Sequence, residues 1–454
     1  MKARKNSFKI NKSAVFHRRL DYQYPAIARG KGIYLYDENG KKYIDGVGGA
    51  LVCNIGHGVK ELAEKIGKLA EKTTFLHAAQ FTTGHMEDYA RKLLKVLPKG
   101  LTRSYFVSGG SEAVETAIKL ARQYHYDIEN KNKYKIIYTW PSYHGATVGA
   151  LSVTGKSAFR KIAEPYLLKF PSFTGFSSYR CPHKKENKNG CVAECAYEFE
   201  KVIKRNNPDT IAALIIEPIV GASAGAILPP KGYFQIIRKI CDKYNIILII
   251  DEVMTGFGRT GKWFASEHFG IKPDIMVAGK GISGGFAPLA GVFCTDKIFK
   301  AIKNGSGNFS HGFTFANNAF TTGIGNLVLD YMVKNNLVGQ AEKMGNYLIA
   351  ELEKLRKFDI VGDVRGKGLM TAIEFVKDKK TKEPFPRSVH LAEKILQTAQ
   401  KKGLILYFCL SFVDGANGDA VMVAPPFIVT KKEIDKIVKI FSESIQEVEQ
   451  SLKN

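Results

Sequence analysis

Asp251 and Lys280 each stand at or just after the end of a short apolar run, with glycine close to both. Ile246-Ile247-Leu248-Ile249-Ile250 leads into Asp251-Glu252-Val253 and a glycine-spaced loop, Thr255-Gly256-Phe257-Gly258-Arg259-Thr260-Gly261. Asp274-Ile275-Met276-Val277-Ala278 then delivers Gly279-Lys280-Gly281. A lysine flanked by glycines can approach a planar cofactor closely and form a Schiff base with its aldehyde. A carboxylate at the end of a neighbouring buried strand can pair with a pyridinium nitrogen and keep it protonated, so that the ring serves as an electron sink. A strand-end salt bridge would account for the two charges alone. The full spacing, together with the glycine loop, favours the cofactor chemistry.

Holding the two groups side by side calls for a buried parallel sheet. The run 246–250 is β-branched and apolar throughout, which suits a strand covered on both faces. Ligands of open α/β sheets bind at the carboxyl ends of such strands. Further strands are expected at 104–107, 135–138, 212–216 and 289–294, with helices at 60–71, 86–97 and 231–245. This βαβ alternation predicts a mainly parallel sheet covered by helices. The strand at 104–107 runs into Ser108-Gly109-Gly110-Ser111-Glu112-Ala113 and a helix reaching about His125. A glycine turn there exposes free N–H groups at the positive end of the helix, a ready phosphate site, although such turns also cap helices without ligands. Residues 33–45 read as a hairpin turning at Asn39-Gly40, and 46–58 as a glycine-rich loop. Residues 1–30 read as an irregular arm and 171–195 as an inserted loop. Helices are expected over 317–357, at 389–402 and from Lys431, with strands at 369–375, 404–409 and 421–424.

The stretch from Asp251 to Gly261, followed by Lys280 after a Pro-Asp strand, resembles the signature of class III aminotransferases. These are pyridoxal 5'-phosphate (PLP) enzymes of fold type I, and the resemblance runs from about Gly32 to the C-terminal helix. It implies an α/β fold with a large domain on a mainly parallel seven-stranded sheet and a smaller α+β domain. The boundaries implied are 1–75 for an N-terminal arm and part of the small domain, 76–330 for the PLP-binding domain and 331–454 for the C-terminal small domain. Carried over residue by residue, the resemblance makes Lys280 and Asp251 catalytic. It puts Gly110 and Ser111 on the phosphate, Tyr143 on the face of the ring with His144 and Val253 beside it, and Glu217 near the phenolic side. Stacking needs an aromatic because the ring is a flat π-system. His311-Gly312-Phe313-Thr314-Phe315 resembles the segment whose threonine reaches the phosphate of the other subunit, which implies a homodimer with shared sites; the sequence does not decide between a dimer and a tetramer. The usual Ser-Gly-His-Pro continuation is replaced by Ala316-Asn317-Asn318-Ala319. Leu51, Val52 and Cys53 fall in the loop that lines the substrate entrance in the family.

Two departures bear on the substrate. Ornithine- and 4-aminobutyrate-type relatives carry an arginine where Met422 precedes Pro425-Pro426, and a glutamate where Ala222 stands. The pair that handles α-carboxylates is therefore missing, and the chain is more similar to the ω-amino-acid and amine branch. Arg160 is the candidate for the carboxylate, since a guanidinium binds it in two places. Donors in this branch include β-alanine, taurine and ω-amino acids, with 2-oxoglutarate or pyruvate as keto-acid acceptor. The chain also looks like the 3-aminobutyryl-CoA aminotransferases of lysine fermentation. A racemase, aminomutase or phospho-lyase on the same fold is the alternative that keeps the cofactor.

With 454 residues, 45% of them hydrophobic, the chain can build a large core and more than one domain. Lysine and arginine number 67 against 43 acidic residues, giving +24. Nucleic-acid binding would explain such a charge, but no nucleic-acid motif is present and the lysines are spread rather than clustered. A solvated surface explains it too, and a polyanionic substrate such as a CoA thioester would be attracted by it. Apolar runs stay short, so no transmembrane helix is expected. The start, Met1-Lys2-Ala3-Arg4-Lys5-Asn6, lacks the apolar stretch of a secretory signal. Seven scattered cysteines suit a reducing compartment, and a cytoplasmic protein is expected. Cys181, His183, Cys191 and Cys195 could ligate zinc, but without a paired CxxC no metal is expected.

Overall fold

Seven strands form the central sheet of the computed structural model, which describes residues 13–72, 74–181 and 193–453. In spatial order they are Leu101–Val107, Ala290–Thr295, Ile275–Ala278, Ile247–Glu252, Ile211–Ile216, Lys135–Trp140 and Ser172–Thr174. From Ile275–Ala278 to the Ser172–Thr174 edge every pairing is parallel. Ala290–Thr295 runs antiparallel to both of its neighbours. Ile211–Ile216 and Ile247–Glu252 are buried at every position, as strands covered on both faces must be. The helix Gly110–Asp127 packs on this sheet through Ala113, Val114, Ala117 and Ala121.

Two expectations need correction, and one strand was not expected. The stretch 171–195 is not all loop, because Ser172–Thr174 pairs with Tyr138, Thr139 and Trp140 and closes the sheet edge. Three residues are too few to show a period, so only the partner strand reveals them. The arm 1–30 contains most of the strand Ile27–Lys31, which pairs antiparallel with Tyr34–Asp37. Four of its five residues are exposed, so it carries no apolar alternation. Val361–Lys367 is a further strand, paired with Met370–Phe375.

The remaining strands form two four-stranded sheets. In one, the meander Ile27–Lys31, Tyr34–Asp37 and Lys42–Asp45 is extended by Leu404–Ile405, parallel to Lys42–Asp45. Residues 27–45 and 404–405, far apart in the chain, therefore share one sheet. The other is antiparallel and consists of Val361–Lys367, Met370–Phe375, Asp419–Val423 and Tyr407–Leu410. The final helix, Lys431–Ser451, opens on a capping box between Thr430 and Glu433. Among the described residues, no helix is long and apolar enough to cross a membrane.

Candidate active site

Two neighbouring parallel strands bring the acid and the lysine together. Asp251 lies next to last in Ile247–Glu252 and is buried. Its Oδ1 accepts from the Val253 N–H at 2.9 Å, and its Oδ2 is 2.7 Å from Nδ1 of buried His144. The carboxylate is thus fixed from two sides. Next door, Ile275–Ala278 pairs with the Asp251 strand and hands over to Gly279 and Lys280. Lys280 has φ of 47°, a left-handed conformation uncommon for a residue with a side chain. Burial lowers its pKa from the usual lysine range, against the pull of Asp251 and Glu217 in the other direction. Desolvation thus favours the neutral, nucleophilic amine. Glu217 follows the fully buried strand Ile211–Ile216. It accepts from the N–H groups of Tyr143 at 3.0 Å and Gly221 at 2.8 Å. Burial raises its pKa to about 7, with His144 opposing and Asp251 assisting.

A cavity of about 310 Å³ opens above these strand ends. Its far end is the start of the helix Gly110–Asp127, where Gly109 is the N-cap and no side chain caps the first turn. Those N–H groups at the positive end suit a phosphate dianion. Ser111 Oγ accepts from the Ala146 N–H at 3.0 Å. The glycines here are set by close approach: a Cβ on Gly145 would stand 2.7 Å from Ser111 Oγ, and one on Gly110 would stand 3.0 Å from Val253 Cγ1. A Cβ on Gly279 would lie 3.4 Å from the same methyl. Val253 is thereby wedged between two glycines, an apolar surface beside the carboxylate. Helix N–H groups, a buried carboxylate, a buried lysine amine and a tyrosine wall form a donor set that fits PLP. His144 Nε2, buried without a partner, adds a polar atom behind the carboxylate.

Gly110, Ser111, Tyr143, His144, Glu217, Asp251, Val253 and Lys280 all line this cavity, and so does Val52. Four other candidates are placed elsewhere. Thr314 is exposed and off the lining. Leu51 is buried in the core at 1% exposure. Cys53 lies beside the lining, its thiol pushed up to about 11 chiefly by burial. The guanidinium of Arg160 donates to the carbonyls of Leu151, Ser152 and Thr154 at 3.0–3.2 Å and pairs with Glu164. The structure therefore does not bring Arg160 to the cavity.

Sequence reasoning missed Ser283, Ala287, Pro288 and Leu289 on the same lining. The glycine pair Gly284-Gly285, between Ser283 and Ala287, was the available signal, since both take positive φ. It also missed Lys156, whose Nζ donates to the Ala222 carbonyl at 3.3 Å and lies 5.9 Å from the Tyr143 ring centre. Burial lowers the pKa of Lys156. Arg18 stands nearby, 5.2 Å from the ring of Phe159, which Lys156 also faces. Among the described residues no cluster of three or more His, Cys, Asp or Glu could hold a metal. His183 and Cys191 of the zinc candidates lie outside the described residues.

The family model described as Aminotransferase class-III matches residues 16–445. YodT of Bacillus subtilis (strain 168), named an uncharacterized aminotransferase, is 40% identical over 435 residues, which are 96% of this chain and 98% of that one. A thermostable (S)-enantioselective ω-transaminase from Thermomicrobium roseum superposes with a TM-score of 0.89 at 34% identity, covering 97% of both chains. The ω-transaminase of Pseudomonas jessenii in complex with PMP superposes with a TM-score of 0.89 at 31% identity, again over 97% of each chain.

Proposed function

The chain belongs to the class III aminotransferases, PLP-dependent enzymes of fold type I, and we propose that its donor is a non-α amine with an anionic tail. Such a donor is a β- or ω-amino acid or its thioester, and the acceptor is a keto acid, 2-oxoglutarate or pyruvate. The observation that carries this reading is the wall at Ala222. Ala222 lines the cavity, and Lys156 donates to its carbonyl while facing Tyr143. Lys156 is not itself on the lining, so a cation rather than a carboxylate stands just behind the Ala222 wall. Met422 is fully buried beneath, in the strand Asp419–Val423, and no arginine lines the cavity among the described residues.

PLP, when bound, supplies the aldehyde that takes up the substrate nitrogen and a ring that spreads the electron pair left when a proton departs. Lys280 Nζ takes that proton from the substrate carbon bearing the nitrogen, and gives one back in the reverse sense when the keto acid is aminated. Asp251 would keep the ring nitrogen protonated, and His144 holds Asp251 in position. The first-turn N–H groups of Gly110–Asp127 would hold the phosphate. Tyr143 closes one face and excludes water.

Within this class the +24 charge favours a 3-aminoacyl-CoA such as 3-aminobutyryl-CoA, whose phosphates positive potential attracts and steers. Mixing the PLP form separately with 3-aminobutyryl-CoA, 3-aminobutyrate, β-alanine and taurine tests this. Rapid loss of the lysine-bound cofactor colour with the thioester alone is the expected result. Equal rates with the free amino acids would leave a general ω-aminotransferase and remove the CoA reading. No colour loss with any amine, or turnover without a keto acid, would remove aminotransfer from such donors altogether.

The active form in this reading is a homodimer. Thr314 is exposed beside Phe315, whose ring meets Phe75 edge-on at 5.7 Å while both rings stay partly in water. A second copy covering this apolar pair would bring Thr314 towards the partner's phosphate site. A monomeric, fully active species in sedimentation would overturn this.

A further inference from the structure

Asn54 lies outside the cavity and in the core, 1% exposed. Its Nδ2 donates to the carbonyls of Phe257 and Gly281, both at 3.2 Å, and touches Met332 Sδ at 3.6 Å. Phe257 belongs to the loop that follows Asp251, and Gly281 directly follows Lys280. Both Phe257 and Lys280 have positive φ, 54° and 47°. Residues with side chains hold that conformation only when their surroundings fix it. Asn54 Oδ1 is buried without a partner. The reversed amide would set its oxygen against two carbonyl oxygens, so the orientation is dictated by the two acceptors. Space is equally restricted: a Cβ on Gly281 would stand 2.9 Å from Asn54 Nδ2. The Asn54 carbonyl also accepts from the Phe427 N–H at 2.7 Å, just beyond Pro425-Pro426.

We infer that Asn54 is a positioning residue for Lys280: one buried carboxamide ties the loop that carries the lysine to the loop that follows the acid. Losing the amide leaves the Phe257 carbonyl without its donor and the Gly281 carbonyl with backbone donors alone, chief among them the Gly284 N–H at 3.2 Å, and the left-handed turn at Lys280 loses the side-chain restraint next to it. The lysine amine then shifts relative to Asp251. Misplacement by about 1 Å costs up to about a hundredfold in rate. The inference rests on the PLP reading of Lys280 above.

The test compares wild type with Asn54→Leu, which keeps the size and removes the donors, as reconstituted holoenzymes. The pH midpoint of the lysine-bound cofactor chromophore is read alongside kcat and KM for the amine. The expected outcome is a kcat about tenfold or more lower with KM within about twofold, and a midpoint moved by about half a pH unit or more. A wild-type midpoint and kcat, even with reduced thermal stability, would overturn the inference and leave Asn54 a packing residue. If Asn54→Leu does not fold, Gly281→Ala decides. Its methyl displaces the amide from the other side, and an unchanged midpoint there overturns the inference equally. Lys280→Ala separates the two levels. A chromophore that survives in that variant sinks the PLP reading of Lys280, whereas its loss leaves that reading standing whatever Asn54 does.

Discussion

Lys280 can act only while its amine is free of its proton, and burial favours that form while the neighbouring charges oppose it. Burial lowers its pKa, while Asp251 and Glu217 pull the other way. Lys280→Ala removes the one lysine that lines the cavity among the described residues, so transamination is expected to fall to background in a coupled assay. Restored turnover with added small amines would show that the fold is intact. Lys156 bears on specificity instead. Lys156→Met is expected to raise KM about tenfold for donors with an anionic tail, the loss of one charge-assisted bond, and to leave KM for an uncharged amine unchanged. Glu217 supplies a stability prediction. Its folded pKa of about 7 lies above the usual 4.5 because the carboxyl is buried. Between those two values the unfolded chain has released the proton and the folded protein keeps it, so stability falls as pH rises through that window. Glu217→Gln is expected to flatten that part of the curve in the cofactor-free protein. Identical melting profiles from pH 4.5 to 7 in both proteins would show that Glu217 is not the group responsible.

At the scale of elements, the signature loop turns out to serve packing as well as chemistry. None of Gly256, Gly258 and Gly261 lines the cavity. A Cβ on Gly261 would meet the Glu342 backbone at 2.9 Å, and one on Gly258 would meet Phe427 at 2.9 Å. Arg259 is buried in the same loop. Its Nη1 donates to the carbonyls of Leu369, Ala424 and Pro425, joining the loop to the antiparallel sheet region. Gly368 continues the contact, since its Cβ would lie 2.3 Å from Thr260, and the helix Leu337–Glu353 presses Gly345 against Gly368 from the other side. A Cβ on Gly345 would stand 2.2 Å from the Gly368 carbonyl carbon. Gly345→Ala is therefore expected to destabilise by about 1–3 kcal/mol or more, the cost of overpacking. Urea unfolding of the variant measures this, and an unchanged midpoint would contradict the close approach.

Over the whole molecule the largest quantity is the charge of +24. Fields from spread surface lysines are screened beyond about 8–10 Å at physiological salt. If a CoA thioester is the donor, kcat/KM for it should fall severalfold between low and physiological salt, while kcat/KM for β-alanine stays level. Matching salt profiles for the two would mean that the surface charge plays no part in recognition.

Residue types and local spacing determined much of this protein. The apolar run ending in Asp251, the glycines around Lys280 and the glycine turn at 109–110 are local features, and local periodicity and backbone freedom made them legible. The same local features gave the mainly parallel sheet. What the tertiary structure decided involves groups distant in the chain. Arg160 reads as a free guanidinium until three carbonyls and Glu164 take it up. Lys156 and Ala222 stand far apart in sequence and meet only in the fold. Ser172–Thr174 is a strand only because Lys135–Trp140 offers it a ladder. Asn54 has an ordinary polar side chain until Phe257 and Gly281 bring their carbonyls to it. A pattern records what a residue prefers, whereas its partners are set by long-range packing, and burial with those partners gives each group its pKa and its role.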